Sequence, residues 1–284
     1  MQKSKLLTLL LCTLVGSGFV LADPIASGTA QSTGSKAVSS STAPTAEVTL
    51  QASTPLTVSL LDKFWSKREN PNNQRAIADY LMTQPSVAND YATAWKTARL
   101  VYFIGNYGAG EQRFVDSDAG VTLFNYGAQA GKLAQSLNPN GVEGYYWYAI
   151  DLGSWGLAKG ILASASNAKY GIAALNKANQ INPAYQWYGS SRILGRYYQQ
   201  LPGLFGGDSA KALALFTTAT EQAPKFSSNW VFLGQYYMDQ GQYAKALAAC
   251  NLALSLSPLD GKYEELRYRA DATTCKNKSQ SKLN

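Results

Sequence analysis

Few side chains in this sequence have the types and spacing that catalysis requires. The chain contains no histidine, the commonest general base and metal ligand of proteins. Its cysteines include no Cys-x2-Cys pair, so neither a zinc site nor Cys/His or Ser/His/Asp catalysis is supported. Asp116 and Asp118 form a D-x-D pair that could hold calcium or cap a helix, but a complete EF-hand pattern is missing. We therefore predict a protein that is not an enzyme and that uses no metal or cofactor.

The residues with the best spacing for binding are arginines and aromatic residues. Arg192, Arg196 and Gln199 fall on one face if their segment is helical. Equivalent positions in neighbouring segments add further candidates: Lys96, Tyr145, Tyr148, Trp155 and Gln235. An arginine fork beside aromatic surface suits a ligand that joins a carboxylate to an apolar body. These residues are our predicted site for a partner or for a small apolar carboxylate.

A structural role is the alternative for the same side chains. Asp151 could pair inside the protein with Arg99 or Arg192, which would leave no charge for a ligand. Aromatic residues at helical spacing usually pack between helices, so Trp147 and Trp230 are expected in the core. The sequence leaves both interpretations open.

The candidate residues need a helical framework, and the segment 230–258 shows its pattern. The offsets of a tetratricopeptide (TPR) repeat are matched by Trp230, Leu233, Gly234, Tyr237, Ala246, Ala253 and Pro258. The aromatic and leucine positions share one face of a first helix, the small residues let a second helix approach, and the proline ends that helix. The candidate binding residues occupy first-helix positions, which line the concave face of TPR arrays.

Weaker copies of the pattern precede this repeat. They span residues 194–224, with an insertion at 201–208, residues 144–183, with a loop around 164–167, and residues 91–139, with a long glycine-rich linker. A capping helix is expected over residues 263–274. No segment alternates in the manner of a strand. We predict an all-α fold, a TPR-like array of about four helix pairs with flanking helices and long insertions.

The N-terminal residues indicate export. Lys3 and Lys5 precede a mostly apolar stretch, and Val20-Leu21-Ala22 fits a cleavage site, so residues 1–22 are predicted to be a signal peptide cleaved after Ala22. Cys12 lacks the small residue that should precede a lipidated cysteine, so we expect a periplasmic protein and not a lipoprotein.

The composition divides the remaining chain into three parts. Residues 23–56 are rich in Ser, Thr and Ala and are predicted to be a disordered linker. Residues 57–275 form the predicted TPR-like domain, and residues 276–284 a flexible basic tail. The formal net charge of +7 comes from scattered lysines and arginines, so no nucleic-acid partner is expected.

Two cysteines remain after the predicted cleavage. In an oxidising compartment Cys250 and Cys275 could form a disulfide between the last repeat and the capping helix. Alternatively, Cys250 is the small core residue of its repeat. The sequence cannot decide, because bridging depends on the distance between the two Cα atoms.

The order of several motifs is similar to that of one family. These motifs are Trp65-x2-Arg68, Trp95-x2-Ala98-Arg99-x2-Tyr102, Tyr145-Tyr146-Trp147-Tyr148-x3-Leu152-Gly153, Arg192-x-Leu194-Gly195-x2-Tyr198 and Leu201-Pro202-Gly203-x2-Gly206-Gly207-Asp208. Over about residues 57–274 the chain resembles the TRAP-transporter T-component (TatT) family of periplasmic TPR-like proteins.

The resemblance implies a helical protomer that assembles into a ring, a trimer in the known type. Such a ring partners a periplasmic solute-binding subunit and helps to pass a small organic solute to a membrane permease. The better-known member is a lipoprotein, and this chain departs from it by lacking a convincing lipobox. The alternative function is a stand-alone periplasmic TPR scaffold that binds extended peptides or envelope-assembly partners.

Overall fold

The computed structural model describes residues 54–84, 90–107 and 118–284, apart from the side chains of residues 161 and 162. Within these ranges the chain forms α-helices and one 3₁₀ turn, with no strand, which confirms the all-α prediction. The helices are α1 (Val58–Ser66), α2 (Pro71–Thr83), α3 (Tyr91–Tyr107), α4 (Asp118–Leu137), α5 (Val142–Lys159), α6 (Ile161–Ile181), α7 (Tyr185–Gln200), α8 (Ser209–Gln222), α9 (Ser227–Asp239), α10 (Tyr243–Ser255) and α11 (Lys262–Leu283). The predicted signal peptide, most of the predicted linker, and Asp116 lie outside the described residues.

The helices pack in the pairs that a TPR-like array requires. Each of the pairs α3/α4, α5/α6, α7/α8 and α9/α10 is in extensive contact, and α4 also packs closely on α5. Side-chain caps begin several helices: Thr57 accepts from the Leu60 N–H at 3.2 Å, and Asp208 accepts from the Lys211 N–H at 3.0 Å. None of the described helices is long and apolar enough to cross a membrane.

Gly131 allows α4 and α5 to approach each other. A Cβ at this position would lie 2.7 Å from the backbone nitrogen and Cα of Tyr148. Because the obstacle is backbone, the two helices would have to move apart. We expect Gly131→Ala to lower the free energy of unfolding by about 1–3 kcal/mol, the usual cost of overpacking, measured by urea denaturation. Gly203→Ala is the control, since nothing lies within 4 Å of a Cβ there; an equal loss in both variants would contradict this account.

The break between the helices of the 144–183 unit differs from its predicted position. Residues 164–167, which were expected to form a loop, belong to α6, and the chain turns at Gly160 instead. Gly160 adopts a φ of +110°, a conformation that other residues rarely adopt. A single glycine therefore replaces the predicted loop.

The C-terminal helix is longer than the predicted capping helix. It continues to Leu283, so residues 276–284 are helical up to that point, where the sequence predicted a flexible tail. The reason is tertiary: α11 keeps a buried face as far as Ser279, which is fully buried. Packing against α9 and α10 thus stabilises a segment whose sequence is mostly polar.

Cys250 and Cys275 are joined by a disulfide that links α10 to α11, with their Cα atoms 6.2 Å apart. Both side chains are also buried beneath Gly234, the small residue of α9. The bridge and the core position, which the sequence offered as alternatives, therefore occur together in the structure.

Candidate functional site

The last helix brings the end of the array back to its beginning. The backbone N–H of Lys262 donates to Oε1 of Glu69 at 2.7 Å, in the segment between α1 and α2. The Arg68 guanidinium lies 3.7 Å from the Glu264 carboxylate, and the rings of Tyr107 and Tyr268 meet edge to face at 6.5 Å. Helix α11 therefore connects the last helix pair with α3 and with the segment before α2.

A cavity of about 250 Å³ lies between α11 and the first helices of the pairs. It is lined by aromatic side chains, by four arginines and by three carboxyl groups. The charged residues are Arg68, Arg99, Arg192, Arg267, Asp260, Glu264 and Asp271. The aromatic residues are Trp65, Tyr102, Phe103, Tyr107, Tyr146, Trp147, Trp187, Phe232 and Tyr268. Such a mixture of apolar walls and a few converging polar groups is typical of small-molecule sites.

The carboxyl groups of the cavity are already engaged by the protein. Asp271 pairs with Arg267 at 3.2 Å, and Glu264 lies near Arg68. Asp260 accepts hydrogen bonds from the Gly261 N–H at 3.0 Å and from the Tyr268 hydroxyl at 3.3 Å. Burial, reinforced by the charge of Asp260, raises the pKa of Glu264 to about 7. The Glu264 carboxyl group is therefore partly protonated, and so partly uncharged, near pH 7.

Arg99 is the cation of the cavity with the fewest protein partners. Its guanidinium stacks on Trp65 at 3.8 Å and on Trp95 at 4.9 Å. No hydrogen bond or ion pair to the side chain is formed within the described residues, and its buried Nε is unsatisfied. Burial lowers the pKa of Arg99 to about 10, and the nearby positive charge of Arg68 acts in the same direction.

Arg192 holds an unusual turn at the cavity wall. Gln186, Trp187 and Tyr188 at the start of α7 all have left-handed backbone conformations, with φ of 52°, 53° and 60°. Each such non-glycine residue costs about 1–2 kcal/mol, so other contacts must stabilise the turn. Arg192 Nη1 donates to the Gln186 and Trp187 carbonyls at 3.4 and 3.5 Å and, at 2.7 Å, to Oδ1 of Asn229.

Asn229 completes this support from α9. Its Nδ2 donates to the Trp187 carbonyl at 3.2 Å and to the Ala219 and Ala223 carbonyls at 2.8 and 3.2 Å. The Trp187 ring stacks flat on Phe226, with 4.5 Å between ring centroids. The buried Arg192–Asn229 pair thus positions Trp187 against the cavity.

The structure brings only one of the predicted site residues, Arg192, to this cavity. Arg196, which is 1% exposed, donates instead to Oε1 of Gln199 at 3.0 Å and to Oε1 of Gln235, and Gln199 donates to Asp239 at 2.8 Å. Arg196, Gln199 and Gln235 thus form a partly buried network between α7 and α9. A buried arginine without a carboxylate partner needs such amide acceptors.

The other predicted residues also lie outside the cavity. Lys96 pairs with Asp62 at the protein surface, at 2.7 Å to Oδ2. The Tyr145 hydroxyl donates to the Pro139 carbonyl at 3.3 Å, while Tyr148 and Trp155 are partly buried among other apolar side chains. Their roles in binding remain predictions.

Asp151 is not the partner of either arginine. It is fully buried, and neither of its oxygens has a hydrogen-bond partner within the part of the chain that the structure describes. A Cβ on Gly127 would lie 2.5 Å from Oδ2, which shows how closely α4 covers the carboxyl group. The proposed pairing with Arg99 or Arg192 is therefore wrong: α5 turns Asp151 toward α4 and away from the cavity. Burial raises the pKa of Asp151 well above its ordinary value.

Sequence reasoning missed most of the cavity. Arg68, Arg99 and Tyr102 belong to the motifs whose order resembles the TRAP T-component family, so the sequence could have identified them as candidates. Nothing in the sequence identified Glu264 and Tyr268, because α11 carries no repeat pattern. No group of three potential metal-ligating residues occurs among the described side chains.

A family model and one solved structure agree with this architecture. The tetratricopeptide repeat family model matches residues 228–260. The crystal structure of a thermophilic TPR protein from Thermus thermophilus superposes with a TM-score of 0.53 and 18% identity, covering 77% of this chain and 96% of that one. The crystal structure of MamA aligns with a TM-score of 0.42 and 19% identity, covering 74% of this chain and 96% of that one. No curated protein matches significantly. The chain is TPR-like, and TPR-like proteins are protein-interaction scaffolds.

Proposed function

We propose that this protein is an exported, non-catalytic TPR-like adaptor that holds a small organic solute and engages a protein partner. The observation that carries the proposal is the cavity of about 250 Å³ beneath α11, with aromatic walls and more arginines than carboxyl groups. The order of its motifs resembles that of the T component associated with the solute-binding subunit of a TRAP transporter, and we propose this role for the adaptor. The signal-peptide pattern of residues 1–22 supports a periplasmic location.

The return of α11 to the start of the array disfavours the alternative function. A scaffold for an extended peptide needs an open concave groove, as in helix- or strand-binding grooves. Here α11 faces the first helices of the pairs across the cavity, and its residues Lys262 and Glu264 contact Glu69 and Arg68. A peptide would have to displace these contacts, whereas a small solute would fit beneath them.

Native mass spectrometry with light scattering tests the proposal. We expect the purified protein to form a small ring, a trimer by the family resemblance, and to release a small molecule on denaturation. Ile193→Phe, which adds volume at the cavity wall, should reduce the bound molecule and leave the oligomer unchanged. A monomer that carries no small molecule would instead support the peptide-binding scaffold.

A further inference from the structure

The size of the cavity limits its ligand to a small one. An engineered protein cavity of about 150 Å³ holds benzene. The volume of about 250 Å³ found here has room for a single ring and one polar substituent. Larger or multi-ring ligands would require the walls to move.

The charges of the cavity favour one negative charge on that ligand. Four arginines face three carboxyl groups, and the carboxyl groups are each engaged by an arginine or by hydrogen bonds. Arg99 and Arg192 are left without an ion-pair partner among the described residues. Of these two, Arg192 already donates to the left-handed turn and to Asn229, whereas the terminal nitrogens of Arg99 have no acceptor within the described residues. Arg99 is therefore the free donor.

The walls of the cavity favour an aromatic ligand over an aliphatic one. Aromatic pairs prefer edge-to-face or offset contacts, which are worth about 0.5–1.5 kcal/mol beyond the buried area. The lining rings already meet one another in this way: Tyr107 and Tyr268 are perpendicular, and Trp65 and Phe103 meet at 69°. A ligand ring placed among them would find both ring faces and ring edges.

From these observations we propose that the cavity binds a single-ring aromatic monocarboxylate, with the carboxylate on the guanidinium of Arg99 and the ring among the aromatic walls. This assignment rests on the proposed solute-binding function and names its substrate class. Trp65 and Trp95 hold the Arg99 guanidinium plane in position, which pre-organises it for a two-point contact with a carboxylate.

Isothermal titration calorimetry with four matched probes tests the substrate class. Benzoate is the expected ligand, benzamide removes the charge, cyclohexanecarboxylate removes the aromatic ring, and terephthalate adds a second charge. We expect benzoate to bind most tightly. Benzamide should bind about 10- to 100-fold more weakly, because it lacks the negative charge and the second acceptor oxygen of a carboxylate. Cyclohexanecarboxylate should bind about two- to tenfold more weakly than benzoate, because it lacks the aromatic contacts.

Variants of Arg99 test whether its guanidinium holds the carboxylate of the ligand. Arg99→Gln should weaken benzoate binding about 10- to 100-fold and benzamide binding much less, because only benzoate loses an ion pair. Arg99→Lys keeps the charge but not the forked pair of donors, so its affinity for benzoate should lie between those of the parent and Arg99→Gln. Arg75→Gln removes the same charge from an exposed pair with Asp79 outside the cavity lining, and should bind benzoate normally. Thermal melting of each variant confirms that it is folded, and Arg99→Lys serves if Arg99→Gln does not fold.

Three results would overturn the inference. These are equal binding of benzoate and benzamide, unchanged benzoate affinity in Arg99→Gln, and no binding of any probe. Tighter binding of cyclohexanecarboxylate or terephthalate would reject the aromatic monocarboxylate class and leave the solute-binding function standing. The solute-binding function itself fails only if no small molecule accompanies the purified protein in the mass-spectrometric experiment above.

Discussion

Asp151→Asn is expected to stabilise the protein at neutral pH and to reduce the dependence of its stability on pH. The native protein buries the Asp151 carboxyl without any partner in the described residues, so the charged form is disfavoured there. The unfolded chain, in contrast, ionises with an ordinary pKa near 3.8. Asparagine has a similar shape and similar unsatisfied polar atoms, but it has no proton to lose. The difference in stability between the parent and Asp151→Asn therefore reports the cost of ionising the buried carboxyl group.

The sign of the pH effect follows from the raised pKa of Asp151 in the folded state. Below pH 3.8 both states hold the proton, and Asp151 imposes no ionisation penalty. As the pH rises, the unfolded state releases the proton first, and stability falls by about 1.4 kcal/mol per pH unit until the folded state also ionises. At pH 7 we therefore expect Asp151→Asn to be more stable than the parent and to have a higher Tm.

Thermal and urea unfolding at pH 4 to 8 measure this effect. Burial also raises the pKa of Glu264, Asp260 and Asp239, so the parent protein has further sources of pH dependence, and only the difference between parent and variant reports on Asp151. Asp79→Asn on the exposed face of α2 is the control and should change stability by less than about 0.5 kcal/mol. Parallel pH profiles for the parent and Asp151→Asn would show that the carboxyl group is solvated or paired in solution.

Asn229→Ala is expected to cause the largest loss of stability that we predict. The change removes the acceptor that lies nearest to the buried Arg192 guanidinium, at 2.7 Å. It also removes three hydrogen bonds to carbonyl groups of α7, α8 and the segment that follows α8. One of the three is the hydrogen bond from Asn229 to the Trp187 carbonyl, which helps to hold the left-handed turn. A hydrogen bond to a charged group is worth about 1.5–3 kcal/mol, and each buried polar group left unsatisfied costs about 1–3 kcal/mol. We therefore expect a loss of about 3 kcal/mol or more, and a fall in Tm of roughly 6 °C or more.

A double-mutant cycle separates the charge effect from the hydrogen bonds. Arg192→Met removes the charge that Asn229 satisfies, so Arg192→Met/Asn229→Ala should be more stable than the sum of the single losses predicts. Asn251→Ala, on the exposed face of α10, is the matched control and should be neutral or slightly stabilising. Additive losses in the double variant would mean that Arg192 and Asn229 do not act as a pair.

The sequence predicted the repeat better than the site. The spacing from Trp230 to Pro258 identifies one helix pair, and the same pattern extends to the preceding pairs, because helix faces and close helix contacts depend on local spacing. The predicted binding residues were placed on the concave face by the same reasoning. In the structure, Arg196 instead donates hydrogen bonds to Gln199 and Gln235. Local spacing reports which face a residue occupies, but not whether the facing helix supplies a partner.

Residue types and their spacing were enough to predict the all-α class and the TPR-like pairing of helices, because both depend on intervals within a few helical turns. Which charges are satisfied and where the cavity lies could be seen only in the folded chain. Those features depend on contacts between distant parts of the chain, such as Lys262 with Glu69 and Arg192 with Asn229. The closing helix α11 shows the physical reason: its sequence has no apolar repeat, and its position follows from the surfaces and the disulfide that hold it.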